Sequence, residues 1–262
     1  MDISTQNLKT ETPLRFKPSL DGINRCSRYA FGPNRLHMCG PDMSREVLAY
    51  IQANQSDQGL VNILQDFRTL YPYLLKIAQA NKIKDPFDTR VVEAYWLGNN
   101  LLDTISAKTY FHHLLENTQI KKQSTSKAWE QLLDKIHQGA RMHHSFHVFN
   151  VWQRTGHTGT IHTLRSMDQC RISWGKVIKL EGPHITVKRQ PLIADGNKLK
   201  LSAEKNIKIT RELEKNSIID DLKIGDTISM HWGIPCEILD SRELKNLKKY
   251  SAWSLALANQ TI

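Results

Sequence analysis

Residues 170–189 read CRISWGKVIKLEGPHITVKR, and the alternation of side chains along this stretch decides the fold of the C-terminal part. Ile172, Ile185 and Val187 fall on one side of extended segments, and Glu181-Gly182-Pro183 between them is a turn signal. Onward along the chain, Leu199, Leu201, Ile207, Ile209, Ile228 and Met230 keep the period of two, punctuated by Asp195-Gly196-Asn197 and Gly225-Asp226. The spacing predicts short antiparallel strands forming a small β-barrel, with Cys170 at the first position of the first strand. The pattern then returns to a helical period over Ser241–Ala258, with Leu244, Leu247, Tyr250 and Leu255 as the apolar stripe.

Before about Arg165 apolar residues recur at helical spacing over several stretches. Leu60, Ile63, Leu64, Phe67, Leu70, Leu74 and Ile77 make one long amphipathic face. Further helices are predicted over Asp42–Ala53, Thr89–Leu102, Ala107–Glu116 and Ser126–His137, with Asp42 and Asp88 as N-caps. Between residues 139 and 164, HHSFHVFNVW fits a strand or a helix equally well. The expected architecture is α+β: an α-helical domain over residues 1–165, then the barrel with its C-terminal helix over 166–262.

Composition narrows the function classes. At 262 residues, 40% hydrophobic and 24% charged, the chain is globular and not disordered. No apolar run approaches the ~18 residues of a membrane span, and MDISTQNLKTETPLRFKPSL lacks the apolar region of a secretory signal. Cys26, Cys39, Cys170 and Cys236 are too few and scattered for a disulfide framework, so a cytoplasmic location is expected. The net charge of +10 divides into +6 over residues 1–165 and +4 over 166–262, with no block of like charge. So diffuse an excess argues against a phosphate-binding groove, and nucleic acid is a disfavoured partner. No Walker or GxGxxG pattern occurs.

Nine of eleven histidines precede residue 170. If Met142–Trp152 is helical, His143 and His147 stand at i and i+4 and can share a metal, non-haem iron or haem among the options, while His144 points elsewhere. His144 occupies the glutamate position of HExxH, and the missing general base argues against a zinc peptidase. The pair His112–His113 has no partner visible in sequence. His37, Cys39 and Cys26 lack zinc-finger spacing and read as structural, and Tyr71, Tyr73 and Trp96 as packing. Cys236, in GIPCEIL, reads as a core thiol. Cys170 is the sulfur placed for a soft metal.

Taken in order, CRISWGKVIKL, LKIGDTISMHWG and CEILDSRELKNLKKY resemble the HypC/HupF family of small hydrogenase-assembly chaperones. The resemblance covers about residues 169–258 and implies that the antiparallel β-barrel there is OB-like. It places the family's first cysteine on Cys170, its strand glycine on Gly175, and its Gly-Asp…His-x-Gly signature on Gly225, Asp226, His231 and Gly233. Two departures stand out: Cys170 is internal instead of following the initiator methionine, and Trp174 replaces the family's proline. The phrases RYAFGPNRLHMCGP and HHSFHVFNV look like an uncharacterised bacterial helical family.

The resemblance implies an accessory or maturation factor for [NiFe] hydrogenase, a chaperone or carrier more than a turnover enzyme. Cys170 and His231 would transiently hold iron with its cyanide and carbonyl ligands, and Arg171 and Trp174 would offer N–H groups to cyanide. The implied partners are the hydrogenase large-subunit precursor and other maturation proteins, with no membrane. The alternatives are a haem- or non-haem-metal-dependent protein using His143 and His147, and a nucleic-acid-binding OB-type module.

Overall fold

The computed structural model describes residues 21–117, 121, 124–151, 163–214, 216–219 and 221–261. His157, His162, Trp152 and the opening twenty residues lie outside the described residues.

Helix α1 (Gly22–Arg35) starts at Asp21, whose side chain accepts from Asn24 N at 2.8 Å. It is buried over nearly its whole length although it carries Arg25, Arg28 and Arg35. That burial is possible because Arg25 meets three carboxylates from distant segments: Glu93 at 3.2 Å, Glu237 at 2.9 Å and Glu243 at 2.7 Å. Arg242 also bonds Glu93, at 2.6 Å. Removing one member of such a buried set costs about 3–5 kcal/mol, because the others are left desolvated and unpaired.

Around α1 lie α2 (Ser44–Ala53), α3 (Gln58–Gln65) and α5 (Thr89–Trp96), and α4 (Leu70–Ala80) packs on α3 and α5. The single amphipathic face expected over residues 60–77 is thus two helices, α3 and α4. Buried Phe67 in the connection keeps the apolar face continuous across the break. Asp88 caps α5 as expected, accepting from Arg90 N at 2.9 Å. Asp42 does not cap α2; Met43 holds that position without a side-chain bond, and Asp42 pairs with His37 at 3.1 Å. The helix expected over Thr89–Leu102 stops at Trp96 and resumes as a 3₁₀ turn, Asn100–Thr104. Gly98 breaks it: its φ is +87°, and a Cβ there would stand 2.0 Å from the Tyr250 ring.

Helices α6 (Ala107–Asn117) and α7 (Ser126–His137) follow, then one turn, α8 (His144–Phe146), that widens into a π-turn over His147–Val151. HHSFHVFNV is therefore helical from His144. Helix α9 (Leu164–Cys170) begins with a capping box between Thr163 and Ser166.

The strands are β1 (Ser173–Glu181), β2 (His184–Arg189), β3 (Leu192–Asp195), β4 (Lys198–Leu201), β5 (Lys205–Thr210), β6 (Glu212–Leu213), β7 (Asn216–Ser217), β8 (Thr227–His231) and β9 (Ile234–Ile238). Five form an antiparallel sheet in the order β5-β2-β1-β8-β9, and β3-β4 and β6-β7 are separate hairpins. The expected inward set holds in part: Ile185, Val187, Ile209, Ile228 and Met230 are buried in one cluster, whereas Ile172 packs with the helices, Leu199 and Leu201 join another cluster, and Ser229 between Ile228 and Met230 is buried as well.

No closed barrel forms among the described residues. Bulges between Val177 and Lys179 and between Ser229 and Met230 curve the sheet. Ile207 and Ile209 of β5 and Ile238 of β9 join one cluster, yet no ladder links those strands. The edge strand β9 packs on α1 and carries Pro235, a residue without an N–H that suits such a position.

The final helix, α10 (Ser241–Ala258), has the bounds the periodicity predicts and a capping box between Asp240 and Glu243. The largest apolar cluster crosses residue 165: Tyr29, Leu74 and Val92 share it with Ile172, Cys236 and Leu247. No described helix is long and apolar enough to cross a membrane.

Candidate metal centre

Three segments end at one place. Helix α9 delivers Cys170 at its last residue, α8 delivers His144 at its first, and β8 delivers His231 just before its hairpin. One ligand atom from each lies within 4.8 Å of the other two. Cys170 is thus a helix-terminal residue and not the first residue of a strand; β1 begins at Ser173.

His231 is 2% exposed, and its Nδ1–H donates to the Tyr29 carbonyl at 2.6 Å. That bond fixes the tautomer and leaves the lone pair on Nε2, which is buried and has no hydrogen-bond partner among the described residues. Burial brings its pKa down to about 4, against the opposing pull of the Tyr29 and Cys170 carbonyls, so the ring is neutral at pH 7. A buried imidazole with its outer nitrogen anchored on a carbonyl is the form in which histidine binds metals.

His144 is held at both nitrogens. Nε2 donates to the Cys170 carbonyl at 2.8 Å and lies 3.9 Å from Cys170 Sγ, while Nδ1 is 3.1 Å from the Tyr95 hydroxyl. A phenol both donates and accepts, so Tyr95 can receive the proton's hydrogen bond at Nδ1 when Nε2 is deprotonated for a metal. Burial, and then His231 nearby, hold the His144 pKa well below its ordinary value. The two imidazoles meet edge to face at 5.1 Å, and the Trp96 ring flanks them at 4.6 and 5.4 Å.

Three donors around a tetrahedral ion with bonds of ~2.0–2.3 Å stand about 3.3–3.8 Å apart. Ligation therefore requires the observed spread to close by about 1 Å, within reach of side-chain rotation. Beside the donors lies a cavity of about 50 Å³, with Pro33, Met38, Cys39, Phe67 and Trp232 among its walls. By that measure a water needs ~10–15 Å³, so a few water-sized ligands fit.

The other sequence-level candidates go elsewhere. His143 is the N-cap of α8, outside the helix, and its Nδ1 accepts from Ser145 N at 3.1 Å while the ring stacks on Tyr250. His147 lines the cavity, but its Nδ1 faces the Tyr73 hydroxyl at 3.1 Å. The expected His143–His147 pair does not converge: the two residues keep the helical relation in the backbone, His147 N donating to the His143 carbonyl at 3.3 Å, but their rings face different partners, Tyr250 and Tyr73. The histidine that reaches the site is His144, the one expected to point away. His113 is buried against Tyr73, and His112 pairs with Glu116 at 3.5 Å. Arg171 donates to Asp168 and to the Gln190 carbonyl. Cys26 and Cys236 are core thiols, and burial pushes Cys26 up to about 12.

The comparison with known proteins yields a family without an activity. This chain belongs to a family of unknown function (DUF6390), which it matches over residues 18–262. No curated protein and no solved structure matches it.

Proposed function

We propose that this protein is an accessory factor of [NiFe]-hydrogenase assembly that holds iron, with its cyanide and carbonyl ligands, at Cys170 and His231, with His144 as a third donor. The observation that carries the reading is the convergence of these three side chains, with His231 Nε2 presented as an unpaired, buried lone pair. Low-spin iron(II) favours a thiolate anchor, and neutral imidazoles complete a site that can still let go. The mostly apolar wall next to the donors suits small diatomic ligands. In this reading the helical part supplies His144 and the surface that meets the large-subunit precursor or another maturation protein.

Infrared spectroscopy of anaerobically purified protein from a hydrogenase-producing host is the test. Cyanide and carbonyl bands that disappear in Cys170→Ser and His231→Ala are expected. Absence of those bands, together with intact hydrogenase maturation in Cys170→Ala, overturns the proposal.

A second reading is a resident non-haem metal ion in the same three-donor site. The burial of His144 favours it, since three donors retain an ion better than two. The cavity of about 50 Å³ lies well below the ~300 Å³ at which small-molecule pockets begin, which favours an ion over haem. Stoichiometric metal without the infrared bands would select this reading.

A further inference from the structure

The last turn of α9 faces two cavities. Cys170 lines the first, and Asp168 and Gln169 line a second of about 300 Å³, with Trp232 standing in the wall of both. Arg35, Ser173, Arg189 and Lys208 also line the second. It lies on the sheet side of the β8–β9 hairpin, where Trp232 adopts φ +50°, a costly backbone for an aromatic residue.

Charge does not balance beside this cavity. Arg171 and Arg189 are 2% and 7% exposed, and both bond the same carboxylate, Asp168. Asp168 also accepts from Leu192 N at 2.9 Å, so its oxygens are already committed. Among the described residues the Arg189 guanidinium hydrogen-bonds Asp168 alone, through one Nη, which leaves donors of its planar fork unused. Two cations with little exposure thus share one anion, and the Arg189 donors that Asp168 leaves over are not sealed in the core but reach the surface of the cavity that Arg189 lines. Arg35 and Lys208, both exposed, add two more positive charges at the rim.

We infer that this second cavity binds a small molecule through a carboxylate or phosphate group, which supplies the anion missing from the Asp168–Arg171–Arg189 cluster. The planar Arg189 fork takes the oxyanion, and Arg35 and Lys208 attract it and neutralise further negative charge. The volume suits a compact metabolite and is too small for a folded partner. The site is independent of whether the first cavity holds a metal.

Isothermal titration of the metal-free full-length protein with inorganic phosphate, pyrophosphate and citrate tests this. Saturable binding of at least one of them is expected, weakening as salt rises. Lys208→Gln with Arg35→Gln, both at exposed positions that leave the fold intact, should weaken it at least 10-fold. Arg189→Lys keeps the charge but loses the fork, and should weaken it further. Preference for citrate identifies a carboxylate ligand, and preference for the phosphates a phosphorylated one. No saturable binding at millimolar concentration, or binding unchanged in the rim double variant, overturns the inference. Because no metal is present, its failure leaves the proposal for the first cavity standing, and loss of metal there would leave this one standing.

Discussion

Gly32 of α1 lies so close to His231 that a Cβ at residue 32 would stand 2.4 Å from the His231 carbonyl oxygen. The helix and the hairpin bearing the histidine therefore touch backbone to backbone. Gly32→Ala should gain about 1 kcal/mol of helix propensity and lose about 1–3 kcal/mol to overpacking. Urea unfolding should read a net loss, and metal titration a weakened centre, because relief of the clash moves His231.

His144→Ala should lower metal affinity at least about 100-fold, since even the loss of an outer-shell partner costs 10–100-fold. His143→Asn preserves an N-cap acceptor for Ser145 N and should retain metal. Titration of both variants with iron(II) or zinc(II) under reducing conditions checks the assignment. Equal losses in the two would mean that only the α8 turn matters, and not the His144 ring.

Tyr95→Phe deletes the hydroxyl that holds His144 Nδ1. A fall of about 10–100-fold in metal affinity with the fold preserved is expected. By contrast, Tyr29→Phe removes bonds to Glu237 and Ser229 but keeps the carbonyl that orients His231. That variant should lose about 1–3 kcal/mol of stability while its metal affinity changes little.

His113 carries an acid-stability signature. Burial lowers its pKa from 6.5 to about 3. Above pH 6.5 both folded and unfolded states are neutral there, and as pH falls towards 3 only the unfolded state takes the proton. Stability is therefore lost on acidification through that window, by about 1.4 kcal/mol per pH unit from this one group. His113→Leu should flatten the pH dependence of urea unfolding by up to that slope between pH 6 and 4.

Elements with regular periodicity were legible in the sequence. The α10 bounds, α7, and the buried set Ile185, Val187, Ile209, Ile228 and Met230 follow from spacing alone. Helix α1 was not legible. Cys26, Tyr29, Ala30 and Pro33 keep a short helical spacing, but Asn24, Arg25, Arg28 and Asn34 fill the rest of the helix, and its burial on all sides rests on carboxylates from α5, β9 and α10 that only the fold brings near. Two of the three donors, Cys170 and His231, stood out through their place in an ordered motif. His144 did not, because the phase of a one-turn helix decides which of three neighbouring histidines faces the site, and that phase is set by the N-cap at His143. The open sheet was hidden for a related reason: alternation reports which face is buried but not what covers a strand's edge.

The three donors arrive from segments far apart in the chain, and α1 touches the hairpin of one of them through Gly32. An unfolded chain offers no such chelate, so the free energy of metal capture is added to folding and cannot be collected before it. In a protein that holds iron in this way, loading would certify that helices and sheet have docked. Unloading would strain the same contact, since α1 is also tied to these strands by Arg25–Glu237 and Tyr29–Ser229.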